Sequence, residues 1–319
     1  MELRSLGRSG IRITPIIMGM WQAGKSMWAG INDADTTRAI QAAFHAGITT
    51  FDTAEEYGKG HSERILGKAL EGLRDQVVYA SKVSPTNLAR HKVIEACHRS
   101  LKNLNTNYLD LYQIHWPAGS WGSDLVPLEE TMEAMNELKV QGKIRAIGVS
   151  NFSRTQLEQA ARLGAIDSLQ SPYSLFWRHV EGDAMPFCIE NNITMLAYSP
   201  LAQGILTGKF SPNHTFAKGD HRSRNRLLKG ENARRVHQAL AGLHPIAERH
   251  GITLAQLALA WVITRPGICA IAGARNAGQA LDNVKAIEVR LLNNDLKEMD
   301  AIGRTVTDCL DDNPVMWGS

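Results

Sequence analysis

No apolar run in this 319-residue chain approaches the ~20 residues that carry a helix across a bilayer; Ile16 to Trp21 is typical of its short apolar stretches. A transmembrane protein is therefore not expected. The N-terminus, Met1-Glu2-Leu3-Arg4, lacks the apolar core of a secretory signal. Charge of one sign is also lacking: 35 Lys and Arg face 32 Asp and Glu, a net of +3, too balanced for nucleic acid as the main partner. The four cysteines, at 97, 188, 269 and 309, lie far apart with no CxxC pair, so neither a structural zinc site nor a disulfide framework is indicated. No short-period repeat and no low-complexity linker divides the chain. A reduced, soluble, cytoplasmic protein of one domain, residues 1–319, is expected.

What the chain does have is a rhythm. Short β-branched or apolar runs alternate with stretches of helical period. The runs are 16–21, 49–53, 76–82, 108–115, 145–150, 168–171, 194–198 and 268–272. Helices are expected between and after them, at 33–45, 62–70, 90–104, 128–141, 153–163, 181–191, 231–250, 254–264 and 277–287. Ser62 reads as a helix N-cap, and Gly47, Gly72, Gly142 and Gly164 as stops. Strands separated by helices pair in parallel, and eight such units in under ~300 residues predict a (β/α)₈ (TIM) barrel. An open doubly wound sheet would want a glycine-rich dinucleotide turn after its first strand, and Gly19-Met20-Trp21-Gln22-Ala23-Gly24 is not one. Two segments fall outside the rhythm. Residues 2–14 read as a β-hairpin able to plug the barrel bottom. The basic segment 211–235, with Lys218, His221, Arg222, Arg224, Arg226 and Lys229, reads as a solvated surface loop or as a flap near an anionic cofactor.

A barrel of this kind carries its active site at the C-terminal ends of its strands. The polar residues predicted there are Asp52, Lys82, His115, Ser150-Asn151, Gln170 and Tyr198-Ser199, with Tyr57 in the loop after Asp52. Singly, each has a structural explanation: a helix cap, a rim charge, a core histidine. Together they converge on one mouth. An inward-facing lysine must be paired, and Asp52, one strand over, is its natural partner.

Four ordered motifs resemble the aldo-keto reductase family. They are Phe51-Asp52-Thr53-Ala54-Glu55-Glu56-Tyr57-Gly58 with Ser62-Glu63, Tyr108 to Pro117, Gly142 to Phe152, and Tyr198-Ser199-Pro200-Leu201. The likeness runs from about Leu3 past Asn283. The Trp21 and Trp28 region, Gly204 to Lys209 and Gly273 to Asn276 most resemble the bacterial general-stress and inositol-cluster reductases. The resemblance implies hydride transfer between NADP(H) and a small-molecule aldehyde or ketone. It implies a tetrad: Tyr57 as general acid, Lys82 as the cation that lowers the phenol pKa, Asp52 holding Lys82, and His115 orienting the carbonyl. For the cofactor it implies Trp21, Asp52, Ser150, Asn151 and Gln170 around the nicotinamide and Tyr198 stacked on it. Ser199, Pro200, Leu201, Gly204, Leu206 and Lys209 would follow along the pyrophosphate, with Gly273, Arg275, Gln279, Asp282 and Asn283 at the adenosine. Gly273-Ala274 and Gln279 stand where many members have Lys-Ser and Arg. Trp21, Trp28, Trp116 and the tail near Trp317 are candidates for an apolar substrate pocket.

Other functions have less support. Gly204 to Lys209 is one residue short of a phosphate loop, and Phe210 replaces its Ser or Thr. Glu55 and Glu56 are adjacent, whereas a glycosidase needs carboxylates on opposite sides of a sugar. No His-x-His pair or carboxylate cluster at the strand ends suggests a metal hydrolase. A redox-sensing regulatory subunit, as in the related potassium-channel β subunits, is the alternative; the chain starts almost at the hairpin, without the long extension such subunits often carry. A monomer is the family default.

Overall fold

A computed structural model describes residues 1–211, 214–311 and 313–316. Two short strands, β1 (Arg4–Ser5) and β2 (Arg12–Ile13), form the antiparallel N-terminal hairpin. Eight more follow: β3 (Ile16–Gly19), β4 (Thr50–Asp52), β5 (Val78–Val83), β6 (Leu109–Ile114), β7 (Ile144–Ser150), β8 (Ser168–Pro172), β9 (Thr194–Tyr198) and β10 (Ile268–Gly273). All eight pair in parallel with their sequence neighbours, and β10 closes on β3, giving the closed barrel that the rhythm predicts. The helices are α1 (Asp33–His45), α2 (His61–Ala69), α3 (Arg90–Asn103), α4 (Leu128–Val140), α5 (Arg154–Leu163), α6 (Ala184–Glu190), α7 (Gly230–Arg249), α8 (Leu254–Ile263), α9 (Ala277–Lys285) and α10 (Asn293–Thr307). The last was not anticipated; its buried Met299 and Val306 fall seven residues apart, on one face.

The Ser62 expectation does not hold. Gly60 occupies the N-cap of α2, and the Ser62 hydroxyl instead donates to the Met20 carbonyl at 2.9 Å. The first strand also stops earlier than expected, at Gly19, and Trp21 opens a short 3₁₀ turn, Trp21–Gly24.

Two-residue alternation along the strands builds the barrel interior in layers. Ile17, Ala80, Leu111, Ala146, Leu196 and Cys269 form an apolar layer near the bottom, sealed from below by Leu6, Ile11 and Ile13 of the hairpin. The hairpin is thus a plug, as its sequence suggested. It is pinned by Thr194, whose Oγ1 accepts from Gly7 N at 2.8 Å and donates to Ser5 O at 2.9 Å. Two residues further along the same strands come Lys82, Gln113 and Tyr198. The interior therefore changes from apolar to polar within one step toward the C-terminal mouth.

Leu6 is 1% exposed and fills the floor beneath this polar layer. Leu6→Ala is expected to lower stability by about 2–5 kcal/mol, as buried leucine truncations do. A urea titration will show it as a lower midpoint at constant slope. A shift below about 0.5 kcal/mol would mean that the hairpin does not plug the barrel.

Candidate active site

The centre of the mouth is a lysine with no solvent exposure. Lys82 lies near the end of β5, and its ammonium donates to Asp52 Oδ1 at 2.6 Å, to the Thr53 carbonyl at 2.8 Å and to Tyr57 Oη at 3.2 Å. An ammonium has three hydrogens, and these contacts use all of them. Asp52 ends β4, so the parallel register of β4 against β5 brings carboxylate and amine together. The second oxygen of Asp52 accepts from Gln170 at 2.9 Å and Gln113 at 3.2 Å. His115 follows β6, with its backbone N–H on the Val83 carbonyl at 3.0 Å. Its ring lies edge-on to the Tyr57 ring, centroids 5.7 Å apart. The four residues of the expected tetrad, brought from three strand ends, are neighbours.

Electrostatics departs from expectation at one point. The sequence reading has Lys82 pulling the Tyr57 phenol down toward neutrality. Burial outweighs that pull, Asp52 works against it, and the Tyr57 pKa is raised above its ordinary value near 10. Although burial opposes it, Asp52 and Tyr57 push the Lys82 pKa upward. Burial, with Lys82 adding to it, drives His115 well below the usual histidine value. At neutral pH the site therefore holds a protonated phenol, an ammonium and a neutral imidazole. The Nδ1 of His115 is buried and has no hydrogen-bond partner.

The loop that carries Tyr57 is fixed from two sides. Gly58 has φ +65°, and a Cβ there would sit 2.4 Å from the Gly24 carbonyl oxygen; a Cβ on Gly24 would meet Tyr57 C at 2.6 Å. Only two glycines allow this approach. On the other side Glu55 Oε1 accepts from Ser84 N at 2.8 Å and Asn87 Nδ2 at 2.9 Å, while its Oε2 accepts from Arg99 at 3.1 Å. Glu55 thus ties the Tyr57 loop to the segment just after Lys82.

A cavity of ≈ 660 Å³ opens over this centre and continues to the end of β10. Of the expected cofactor residues, Trp21, Asp52, Ser150, Asn151, Gln170, Tyr198, Ser199, Pro200, Leu201, Gly204, Lys209, Gly273, Arg275, Gln279, Asp282 and Asn283 line it. So do Trp28 and Trp116. Leu206 does not: it is fully buried among the apolar residues of the core. Trp317 lies outside the described residues. Two glutamines carry duties the sequence did not suggest. Both Gln170 amide hydrogens are engaged, with Asp52 Oδ2 and Gln113 Oε1, so its Oε1 is what it offers outward. Gln279 Oε1 accepts from Arg275 N at 2.9 Å and closes the turn into α9. Tyr198 Oη donates to Asn151 Oδ1 at 2.8 Å, and Asn151 Nδ2 donates to the His115 carbonyl at 3.0 Å.

The sequence reading missed several lining or supporting residues. Gln113 was detectable, being two residues before His115 on the inward face of β6. Met27, Trp121 and Gln203 sit in irregular loops without a periodic signal. In the sequence Arg222 is one basic residue among several in 211–235. In the structure that segment divides: Lys218, Arg224 and Lys229 are exposed, whereas Asp220, His221 and Arg222 are buried. His221 N donates to the Met27 carbonyl at 3.0 Å, which lays this stretch along the cavity wall. Arg222 and Arg275 lie over the Trp28 ring, with Cζ 5.3 and 5.5 Å from its centroid. Burial, with repulsion from Arg222, lowers the pKa of both Lys209 and Arg275. Asp220 is paired with Arg222, and the buried Nη2 of Arg275 has no partner. Three cations around one orphaned donor suit a polyanion. Among the described residues there is no group of three or more His, Cys, Asp or Glu able to hold a metal ion.

Comparison with known proteins agrees with this geometry. The chain is 39% identical over 315 residues to aldo-keto reductase YhdN of Bacillus subtilis (strain 168), covering 95% of this chain and 93% of the relative. Methylglyoxal reductase YeaE of Escherichia coli (strain K12) is 37% identical over 284 residues, 87% of this chain and 89% of its own. An aldo-keto reductase from Klebsiella pneumoniae, solved in complex with NADPH, superposes with a TM-score of 0.77 at 30% identity, over 100% of both chains. A sequence profile of the Aldo/keto reductase family matches residues 15–304, and with the closed barrel and the Asp52, Tyr57, Lys82 and His115 centre this places the chain in the aldo/keto reductase family.

Proposed function

We propose that this chain is an NADP(H)-dependent oxidoreductase that reduces an aldehyde or ketone to the alcohol, with Tyr57 as the proton donor. The observation that carries the reading is the third hydrogen of the Lys82 ammonium, which points at Tyr57 Oη inside a ligand-sized cavity. NADPH, when bound, supplies the hydride to the carbonyl carbon. Tyr57, protonated at neutral pH, gives its phenolic proton to the carbonyl oxygen. Lys82 then faces the phenolate and stabilises it, while Asp52 keeps the ammonium aligned. His115, neutral, orients the carbonyl oxygen by hydrogen bonding where negative charge develops.

The cavity residues fit the cofactor. Ser150, Asn151 and the Gln170 carbonyl offer polar groups to a carboxamide, and Tyr198 offers an aromatic face. Lys209, Arg222 and Arg275 supply the positive charge that phosphates require. Tetrad and cavity come from one chain, so a monomer suffices. No described helix is long and apolar enough to cross a membrane. A small-molecule substrate, a cytoplasmic site of action and a single barrel domain complete the reading.

Tyr57→Phe is expected to lower kcat for carbonyl reduction by about 10²–10⁴-fold while cofactor binding, followed by fluorescence, stays close to wild type. Retention of more than roughly a tenth of kcat would assign the proton to another donor.

The pH profile follows from the two shifts. Tyr57 is raised, so its donor form persists through the neutral range and the reduction rate falls only in the alkaline range, above the ordinary phenol value. His115 is lowered, so an acid limb lies below the usual histidine range. Lys82→Met leaves Tyr57 buried beside an unpaired carboxylate, which moves the alkaline limb further up and cuts the rate. Asp52→Asn removes the aligning group but keeps the cation and costs less. Stopped-flow rates from pH 5 to 11 check this; an unchanged profile at full activity in Lys82→Met would remove Lys82 from the mechanism.

Arg275→Ala is expected to raise KM for NADPH by about ten- to a hundred-fold, the worth of a lost charge-assisted hydrogen bond, and KM for NADH little. Equal changes for the two cofactors, or a wild-type preference for NADH, would place the ribose phosphate elsewhere.

A further inference from the structure

We propose that Trp121 makes this site selective for flat aryl aldehydes and ketones over small hydrophilic carbonyls, an inference that rests on the carbonyl-reductase reading above. Trp121 lies in the loop after His115 and lines the cavity. Its indole meets the His115 ring edge-on, with centroids 5.5 Å apart at 78°, and lies 5.8 Å from the Trp116 ring. It is set directly against the group that orients the carbonyl, on the same imidazole that meets Tyr57.

The position is costly. Trp121 has φ 58° and ψ 24°, a left-handed conformation that bulky side chains rarely adopt. It is 54% exposed, so the ring is also left largely in water. Hydrogen bonds among loop residues hold the turn: Ser120 N to Pro117 O at 3.2 Å, Ser123 N to Ser120 O at 3.0 Å and Gly119 N to Asp124 O at 3.2 Å. None of them involves the indole. Gly119 and Gly122, both with positive φ, bracket the residue and let the chain present it. Backbone strain and an exposed aromatic ring, retained together at the rim of a reaction site, are the mark of a ligand contact that is completed only when the ligand arrives.

Other lining residues add to the aromatic and apolar surface of the cavity. Trp21 and Trp28 pack edge-on with centroids 5.1 Å apart, and Met27 stands beside them, 56% exposed. The groups offered to a carbonyl oxygen are at the bottom, on Tyr57 and His115. A substrate with its oxygen there has its carbon skeleton beside the Trp121 and Trp116 indoles. A flat aryl group covers the exposed indole face and gains offset stacking. Methylglyoxal, the substrate named for the Escherichia coli relative, has no aryl surface to offer.

The test compares kcat/KM for 2-naphthaldehyde and for methylglyoxal, with NADPH and with NADH, in the full chain and in Trp121→Ala, Trp121→Gly and Trp121→Phe. The wild type is expected to favour the aryl aldehyde. Trp121→Ala should reduce the aryl-to-methylglyoxal ratio about ten-fold or more, from loss of stacking together with loss of apolar contact. Trp121→Gly, which fits the positive φ without strain, should reduce it equally, showing that the indole and not the loop conformation is responsible. Trp121→Phe should retain most of the ratio. An unchanged ratio in the Ala and Gly variants, or a wild-type preference for methylglyoxal, overturns the proposal while leaving carbonyl reduction in place. If the wild type reduces neither compound, the carbonyl-reductase reading fails and the proposal fails with it.

Discussion

A lysine ammonium with no access to water is tolerable only when every one of its hydrogens is taken, and the mouth of this barrel is organised around that requirement. Asp52 supplies the countercharge, the Thr53 carbonyl a neutral acceptor and Tyr57 the third contact. The Asp52 carboxylate must in turn be satisfied, and Gln113 reaches it from β6, two strands away, and Gln170 from β8, across the barrel. A buried pair of this kind gains little stability, because desolvation offsets the attraction. What it secures is position. A cation is fixed within hydrogen-bond reach of one phenol, and neither has room to choose another partner.

That arrangement needs a rigid support, which the barrel provides through its alternation. One inward layer is aliphatic and plugged by the hairpin; the next carries Lys82, Gln113 and Tyr198. Charge is thereby held at the boundary between a dry core and an open cavity. The same boundary explains the three displaced pKa values. Burial raises the phenol and lowers the imidazole, and the Asp52 carboxylate keeps the lysine charged despite burial. Each group is held in the protonation state that the proposed reduction requires at neutral pH.

At the other end of the cavity the balance is reversed. Lys209 and Arg222, from one irregular stretch, and Arg275, from the end of β10, gather there with mutual repulsion, and Asp220 beside them is already engaged by Arg222. One end of the groove is neutralised internally and the other is left positive. An elongated ligand with phosphates at one end and a reactive ring at the other is accommodated by that asymmetry.

The fold was legible in the sequence because its signals are local. Strand and helix periods, and the glycines that end α1 and α4, lie within a few residues of one another. The tetrad was legible too, since Asp52, Lys82 and His115 each fall at or next to a strand end, and a parallel barrel brings all its strand ends to one face. Other features depended on contacts between distant segments. Ser62 reads as a helix cap until the Met20 carbonyl reaches it; Leu206 reads as a cofactor contact until the core takes it up. Arg222 is one basic residue among several until Trp28 lies beneath it. The direction of the Tyr57 shift required knowing how deeply the phenol is buried, and burial belongs to the whole assembly. Period and spacing determined which residues arrive at the mouth. Only the tertiary structure decided what each one faces there, because hydrogen-bond partners, desolvation and repulsion act through space between segments that the chain itself keeps far apart.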